Sequence, residues 1–379
     1  MMTLDAAKIS SIEAVSAAAW NALAGDDYPF IRHEFLHALE ASGAVGPQTG
    51  WIPHHRLLYQ GSRLVGAMPL YHKMHSMGEY VFDWSWADAW HRAGGRYYPK
   101  ALTAIPFTPA PGPRLLLTDG VDPLHARRKL LQTLDGQGLS GWHLLYAEAA
   151  EVACWQAACP ELIARRGVQF QWRDDGYADF TDFLSALTSK RRKAIRRERR
   201  RVAEQGIELR RLEGAAISPE DLTHFYRCYQ LTYLERGQQG YLNLNFFQRL
   251  LDAMPESLLL VQARHGGRPV AAALSLQGSH TLFGRYWGSE VVCDGLHFEA
   301  CYYQGIEHCL ARGLRCFDPG TQGEHKLSRG FLPQRLTSLH RIADARLHEG
   351  VERFCREESV AVERYRQAAM LASPFRVEE

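Results

Sequence analysis

The stretch 317–331 (FDPGTQGEHKLSRGF) concentrates residues that can perform acid–base and charge-stabilising chemistry. It follows a predicted strand at 314–318, and α/β proteins place ligands at the loops after strand ends. Its glycines allow close backbone approach to a ligand, and its ionisable side chains offer a general base and cations. The candidate residues are Gly320, Gly323, Glu324, His325, Lys326 and Arg329. A polar surface turn is the alternative interpretation.

A second candidate is the basic segment 190–201 (KRRKAIRRERRR), which holds nine basic residues and one acid. Elsewhere acids outnumber bases, so one element concentrates the positive charge. At helical spacing, Leu184, Ile195 and Val202 share a stripe that would dock on a core. The opposite face carries Lys190, Lys193, Arg197 and Arg200, while Arg191 falls near the apolar stripe. Such a face is typical either of a solvated surface or of a site for the phosphates of a nucleotide, CoA or RNA.

The start of a predicted helix at 296–312 is a third candidate, because a helix N-terminus can hold an anion. Glu299, Tyr303 and Glu307 lie one turn apart on one of its faces. Arg285 and Tyr286 lie on the strand predicted beside this helix start, and both are candidate substrate-binding residues. A solvated helix face is the alternative.

Two further motifs match known patterns. His33-Glu34-Phe35-Leu36-His37 is an HExxH sequence, which on a helix would bring two histidines to a zinc ion with Glu34 as base. The third zinc ligand stays open among His54, His55 and Glu40. The segment 211–216 (RLEGAA) matches the R/Q-x-x-G-x-G/A loop of CoA-dependent acetyltransferases.

The composition limits the class of protein. The 379 residues are 46% hydrophobic and 23% charged, which is ordinary globular usage and argues against collagen, coiled coil or disorder. No run approaches the ~20 apolar residues of a membrane-spanning helix, and the N-terminus lacks the apolar stretch of a secretory signal. The eight cysteines form no CxxC pair, which favours reduced thiols. We therefore expect a soluble, cytoplasmic protein without stable membrane insertion.

Two predicted hairpins suggest an internal repeat. They lie at 54–72 and 258–276, and both run apolar strand, Gln, Gly turn, Arg, Val, Ala. Helices precede each hairpin, and a strand, a helix and another strand follow it, which predicts an α/β chain (α+β type) built from two similar units. We predict a first domain at 1–178, a basic connecting helix at 179–206, a second domain at 207–345 and a C-terminal helical tail at 346–379.

The segment 168–209 (VQFQWRDDGYADFTDFLSALTSKRRKAIRRERRRVAEQGIEL) resembles the Fem-type N-acyltransferases. In that family a strand, a polar turn and a helix with K/R-x-x-R-x-x-I-R lead into the second of two acetyltransferase-like domains. The chain is similar in particular to the FemAB-like branch of bacterial N-acyltransferases. The shared segments are HSMGEYVFDWSWADAW, PFTPAPGPR, GRYWG and QGEHKLSRGF.

This resemblance implies two tandem GNAT-like domains and the transfer of an activated acyl or aminoacyl group to an amine. Fem enzymes take an amino acid from aminoacyl-tRNA and add it to a peptidoglycan precursor. By the same resemblance, Lys326 would stabilise negative charge on the donor or the acceptor, and the basic helix would face phosphates.

From the residues and the resemblance together we predict an N-acyltransferase whose general base, Glu324 or His325, deprotonates an acceptor amine. Lys326 and Arg329 would stabilise the oxyanion or adjacent phosphates. We expect no bound cofactor and no metal, with acyl-CoA or aminoacyl-tRNA as co-substrate and no DNA partner. The alternatives are a zinc metallopeptidase at His33, Glu34 and His37, and a non-catalytic RNA- or nucleotide-binding protein.

Overall fold

The computed structural model of the protein describes residues 3–321 and 323–376. Six residues lie outside the described part. They are residues 1–2 of the predicted first domain, residue 322 of the stretch 317–331 and residues 377–379 of the predicted tail. The helices are α1 (Ala17–Ala24), α2 (His33–Ala41), α3 (Trp84–Arg92), α4 (Pro123–Gln132), α5 (Ala149–Ala158), α6 (Phe180–Ala186), α7 (Ser189–Glu204), α8 (Pro219–Leu234), α9 (Leu244–Ala253), α10 (Leu296–Phe298), α11 (Gln304–Arg312) and α12 (Ala345–Leu371).

The strands are interspersed with these helices along the chain. They are β1 (Asp5–Ile9), β2 (Trp51–Pro53), β3 (His55–Gln60), β4 (Arg63–Met68), β5 (Tyr71–Lys73), β6 (Lys100–Thr103), β7 (Leu116–Leu117), β8 (Gly141–Leu144), β9 (Ile163–Arg173), β10 (Ile207–Glu213), β11 (Leu258–His265), β12 (Arg268–Gln277), β13 (Thr281–Ser289), β14 (Cys316–Asp318) and β15 (Leu332–Ile342).

The chain folds into two compact units. Unit 1 comprises residues 1–168 and 335–365, and unit 2 comprises residues 169–334 and 366–379. The basic helix α7 belongs to unit 2, and β9 and β15 each contribute residues to both units. The domain boundaries that the sequence suggested stay a prediction.

Unit 1 contains a four-stranded sheet in the order β1-β3-β4-β7. A further set of strands runs β2-β5-β6-β8, and β8 pairs antiparallel with the end of β15 through residues 339–342. Apolar side chains from these strands and from α4 and α5 form one buried core. Its members include Leu58, Val65, Met68, Leu130, Trp142, Leu144, Trp155 and Leu339.

Unit 2 contains the strands β10-β11-β12-β13-β14 in that order, and β14 then pairs with residues 172–173 of β9. The first four strands are antiparallel, whereas β13 and β14 run parallel. Val202, Ile207, Ala263, Ala271 and Leu296 form a buried cluster that joins α7 to this sheet.

Both units repeat one order of elements. Unit 1 begins β1, α1, α2, the short strand β2 and the hairpin β3–β4, and unit 2 begins β10, α8, α9 and the hairpin β11–β12, with no counterpart of β2 among its described strands. In each unit the first strand pairs antiparallel with the first strand of the hairpin. Gly266 and Gly267 both have positive φ, +56° and +78°, as a two-residue type I′ turn requires. The repeat that the sequence predicts is therefore visible in the order of the elements.

Two predicted helices differ in detail from the observed ones. The segment expected as one basic helix is divided into α6 and α7, because Leu187 and Thr188 have extended backbone. Leu184 is buried as predicted, but it belongs to α6. The predicted helix at 296–312 is present, and its turn Glu299–Tyr303 is π-helical. Such turns occur frequently at functional sites.

Candidate active site

The site is built around the parallel pair β13 and β14. Thr281 pairs with Cys316 and Phe283 with Asp318, so both strands run toward the segment 319–331, which we call the β14 loop. Gly320 in this loop has φ +83°, and a Cβ on it would lie 3.1 Å from the carbonyl oxygen of Gly284 on β13. Glycine is therefore required there for the loop to pack against the strand.

Asp318 fixes the start of the β14 loop, a role that no sequence motif indicates. Its carboxylate accepts hydrogen bonds from Gln169 Nε2 and Gln171 Nε2, both at 3.0 Å, and from the Gly320 amide at 2.9 Å. Burial raises the pKa of Asp318, and these donors partly oppose that shift. The carboxylate thus ties β9 and the loop to the end of β14.

Lys326 is buried inside the β14 loop. Its Nζ donates to the carbonyl oxygens of Gly320 at 2.7 Å and Thr321 at 3.0 Å. Burial lowers its pKa to about 8, and the nearby Asp318 carboxylate partly offsets that shift. These contacts make Lys326 a residue that closes and positions the loop, and the stabilisation of substrate charge by this lysine stays a prediction.

His325 and Tyr302 form a polar pair at this loop. His325 is exposed, Tyr302 is buried on the π-helical turn, and His325 Nε2 lies 2.9 Å from the Tyr302 hydroxyl. Burial lowers the pKa of His325, and the charges of Lys326 and Arg329 add to that effect. Burial raises the pKa of Tyr302, so the phenol keeps its proton at neutral pH. The pair therefore holds a neutral imidazole beside a proton donor.

The rings of His297 and Phe298 surround this pair. Their centroids lie 6.3 Å and 5.6 Å from that of His325. Burial is the main reason that the pKa of His297 falls to about 4, with His325, Lys326 and Arg329 as further causes. His297 is consequently neutral at physiological pH. Glu324, the other candidate base, is exposed to solvent beside His325.

Arg329 connects the β14 loop to the basic helix. Its Nη2 lies 2.8 Å from Glu198 Oε1 on α7, its Nε donates to the Tyr303 hydroxyl at 3.0 Å, and that hydroxyl donates to Glu198. The guanidinium also stacks on Phe298, with Cζ 3.4 Å from the ring centroid. Arg329 is therefore held in place on three sides.

A second ion-pair group holds α7 on the π-helical turn. Arg199 donates twice to Glu299, with both distances 3.0 Å, and once to Glu307 at 2.6 Å. Glu299 is buried, so the predicted face of Glu299, Tyr303 and Glu307 is a docking surface for α7 rather than a solvated one. Ile195 and Val202 are buried, as predicted.

The outward side of α7 keeps its positive charge. Within residues 3–321 and 323–376, four of the six exposed cations of α7 form no ion pair, and we call these four residues the cationic face: Lys190, Lys193, Arg196 and Arg197. Arg191 is half-buried and likewise lacks an acidic partner in the described part. By contrast, Arg200 lies 3.9 Å from Glu204. The helix is thus fixed by Glu198 and by Arg199, while the cationic face is available to an anion.

The remaining predicted binding residues lie in different surroundings. The guanidinium of Arg285 approaches the β14 loop, since a Cβ on Gly320 would lie 3.8 Å from its Nη1. A Cβ on Gly323 would overlap the His325 ring, at 2.1 Å from Cε1. Tyr286 is buried in an aromatic cluster, with its ring 5.3 Å from that of Phe247. Binding roles for these residues stay predictions.

The HExxH motif lies on α2 in unit 1, and its side chains are engaged in local contacts. His33 Nε2 is 3.1 Å from the carbonyl oxygens of Ile12 and Val15. Glu34 accepts from Asn21 at 2.8 Å, and His37 Nε2 is 2.9 Å from Glu13. Of the possible third ligands, His55 pairs with Glu40 at 2.9 Å. These contacts hold the start of α2 against the preceding segment, and they give the zinc-peptidase hypothesis no support.

Comparison with known proteins identifies the class. The profile of the FemAB-like family, described as peptidoglycan biosynthesis/recognition, matches residues 11–377. Because the match spans nearly the whole chain, the chain belongs to the FemAB-like family, as the sequence motifs indicated. Family membership supports a transferase role. A search of curated protein sequences finds no significant match.

Solved structures share the fold at low sequence identity. The C-terminal domain of a protein named as a lysylphosphatidylglycerol synthetase, from Agrobacterium fabrum, matches with TM-score 0.56 and 11% identity over 88% of this chain and 94% of that one. FemX matches with TM-score 0.55 and 11% identity over 91% and 100%. L-PGS from Bacillus licheniformis matches with TM-score 0.50 and 12% identity over 86% and 97%.

These matches confirm the predicted α/β fold class, which this chain shares with FemX. In the part of the chain that the structure describes, no helix combines the length and the apolar character needed to cross a membrane.

Proposed function

We propose that this protein transfers an acyl or aminoacyl group from an activated, phosphate-bearing donor to an amine acceptor at the site in unit 2. One observation carries the proposal: the Glu198–Arg329 contact fixes α7 to the same loop that presents the His325–Tyr302 pair. A cation-rich helix is thereby held next to a neutral base and a proton donor. Membership of the FemAB-like family supports this reaction class.

The His325–Tyr302 pair can supply the proton transfers of the reaction. An acceptor amine must lose a proton as it attacks the carbonyl carbon of a thioester or ester, and neutral His325 can receive that proton. The new C–N bond forms as the C–S or C–O bond of the donor breaks. Tyr302, which stays protonated, can give its hydroxyl proton to the leaving thiolate or alkoxide and take the proton gained by His325 in exchange, through the hydrogen bond between them. Glu324 is the alternative base.

The cationic face of α7 is proposed to bind the donor's phosphates. Lys190, Lys193 and Arg197 recur at helical spacing on the exposed side, so an extended polyanion can contact all three. Acyl-CoA and aminoacyl-tRNA both present such phosphates. The name of the Agrobacterium fabrum protein, a lysylphosphatidylglycerol synthetase, favours an aminoacyl donor and a lipid setting. The family description favours a peptidoglycan precursor as acceptor.

A transfer assay tests the proposal. The purified protein is incubated with acetyl-CoA or lysyl-tRNA and with amine acceptors that include a UDP-linked muropeptide, and the product is detected by mass spectrometry. We expect one donor class to yield an amide, and we expect His325→Gln to lower the rate about 10²–10⁴-fold. His280→Gln, an exposed histidine elsewhere in unit 2, is the matched control. Equal turnover by wild type and His325→Gln would reject the role of His325.

A second candidate function is binding of RNA or a nucleotide without catalysis, which the unpaired cations of α7 also favour. The two functions differ in turnover. Donor binding that depends on the cationic face, with no amide formed from any donor, would support the binding protein over the transferase.

A further inference from the structure

We propose that unit 2 carries a binding site for a transition-metal cation of the zinc type, formed by His224, Cys228 and Glu290. One atom from each residue, a ring nitrogen, a sulfur and a carboxylate oxygen, lies within 4.8 Å of the other two. Nitrogen, sulfur and oxygen donors are the set that zinc accepts in proteins. The site is independent of the proposed transfer reaction, since none of its three residues takes part in that chemistry.

The fold brings the three ligands together from two elements. His224 and Cys228 are four residues apart on α8, so their side chains lie on one face of the helix. Strand β13 packs directly on that turn, because a Cβ on Gly288 would lie only 1.8 Å from the carbonyl oxygen of Cys228. Thr232 on the next turn donates to the Trp287 carbonyl at 2.8 Å. Glu290, which directly follows β13, therefore reaches the same face of α8.

The spacing of the ligand atoms fits a single small cation. His224 Nε2 lies 3.5 Å from Cys228 Sγ and 3.9 Å from Glu290 Oε1. Zinc bonds of about 2.0–2.3 Å at tetrahedral angles separate neighbouring ligand atoms by roughly 3.3–3.6 Å. A small movement of the Glu290 side chain would complete the geometry. Three protein ligands leave a fourth position for water.

The surroundings suit a cation that enters from solvent. His224 and Cys228 are buried, whereas the side chain of Glu290 is 29% exposed and provides the way in. Burial raises the pKa of the Cys228 thiol to about 12, and the Ala272 backbone amide partly opposes that rise. A bound metal cation would favour the thiolate outright, since a coordinating thiol is deprotonated.

Arg227 is the natural competitor of a cation at this position. Its Nε lies 3.2 Å from Glu290 Oε1, and its side chain is 65% exposed, so the guanidinium can move away when a metal binds. Removing this competitor by Arg227→Gln should tighten metal binding several-fold. Weaker binding in that variant would contradict the arrangement.

The test measures metal binding by the full-length chain after treatment with a chelator and desalting. Zn²⁺ alone is added, and stoichiometry and affinity are determined by competition with a chromophoric chelator. We expect one Zn²⁺ per chain, and at least a tenfold loss of affinity in Glu290→Gln. Glu220→Gln, an exposed acid on α8, is the control that should bind as wild type does.

Binding of Co²⁺ in place of Zn²⁺ tests directly whether sulfur is a ligand, because a Co²⁺–thiolate bond gives a charge-transfer absorption band in the near ultraviolet. We expect this band in wild type and in Cys293→Ser, and its loss in Cys228→Ser. The buried Cys228→Ser variant could fail to fold, in which case the loss of affinity in Glu290→Gln decides the test. The midpoint temperature of thermal unfolding of Glu290→Gln, measured with a chelator present, should equal that of wild type. Substoichiometric zinc, or zinc binding that neither variant changes, would overturn the proposal.

Discussion

The guanidinium of Arg329 donates to the carboxylate of Glu198, with Nη2 2.8 Å from Oε1. This contact joins the β14 loop to α7, and it uses the one acid in a run of nine basic residues. The basic helix is therefore fixed by the single acid of its basic run and by Arg199, while the cationic face stays exposed.

Glu198→Gln should loosen α7 and lower the stability of the protein. Hydrogen bonds to charged groups contribute about 1.5–3 kcal/mol, and Glu198 is partly exposed, so we expect the free energy of unfolding to fall by about 1–3 kcal/mol. Urea unfolding measures this change. Glu204→Gln, an exposed acid on the same helix, should stay within about 0.5 kcal/mol of wild type. Indistinguishable unfolding curves for the two variants would show that the contact does not hold the helix.

The rate of transfer should depend on pH through His325. Burial and the neighbouring Lys326 and Arg329 lower the pKa of this histidine below its ordinary value of 6.5. The base is active when neutral, so kcat/KM should rise with pH, pass its midpoint below pH 6.5 and level off near pH 7. Measured rates between pH 4.5 and 8 test this. If kcat/KM of His325→Gln rises with pH in the same way as that of wild type, the titrating group is a residue other than His325.

Part of the fold follows from local patterns in the sequence. The two hairpins, β13, the helix at 296–312 and the basic helix are all present near their predicted positions. The Gly266-Gly267 turn shows why, since glycine readily adopts the positive φ that both residues of this hairpin turn have. In these segments the conformation favoured by the local sequence is the one observed in the structure.

The contacts that assemble the site could not be predicted in this way, because they join residues far apart in the chain. Asp318 bonds Gln169 and Gln171 across about 150 positions, and Arg199 reaches Glu299. The one sequence feature that indicates such a contact is the position of Glu198 within a basic run, since a single acid among cations suggests that it pairs with a residue elsewhere in the protein. The π-helical turn that carries Tyr302 likewise has no local sequence signature.

Unit 1 contains a buried charge network whose disruption should be costly. Lys100 is fully buried and donates to Glu79 at 2.8 Å, Asp83 at 2.5 Å and Ser76 at 2.9 Å. Lys100→Met removes the cation that pairs with the buried Asp83 and leaves Glu79 with Lys73, whose Nζ lies 3.9 Å away, so we expect a loss of about 3–5 kcal/mol. Chemical denaturation measures this loss in the free energy of unfolding. Lys129→Met, on the half-exposed side of α4, should cost far less, and equal effects would contradict the importance of the network.

A buried histidine pair should make unit 1 sensitive to acid. His143 and His340 face each other on β8 and β15 with their Nδ1 atoms 2.7 Å apart. Burial lowers the pKa of His143 to about 3 and that of His340 well below 6.5. Below pH 6.5 the unfolded chain binds protons that the folded chain does not, so stability is complete above pH 6.5 and declines as pH falls toward 3.

Each histidine contributes at most about 1.4 kcal/mol per pH unit to this decline. Unfolding measured between pH 5 and 7 should therefore show a shallower slope in the double variant His143→Gln, His340→Gln than in wild type. His91→Gln, an exposed histidine of α3, should keep the wild-type slope. Identical slopes in all three proteins would show that the pair does not control the acid response.

The central claim is that the outer cations of α7 bind the phosphates of the donor. The most direct measurement is the affinity for the productive donor as a function of salt, in wild type and in the triple variant Lys190→Gln, Lys193→Gln, Arg197→Gln. A triple variant of exposed unit 1 arginines, Arg63→Gln, Arg92→Gln, Arg96→Gln, removes the same charge elsewhere. For an aminoacyl-tRNA donor, we predict that the slope of log affinity against log salt falls by about two to three only in the α7 variant. An unchanged slope in that variant, or an equal change in the control, would contradict the account.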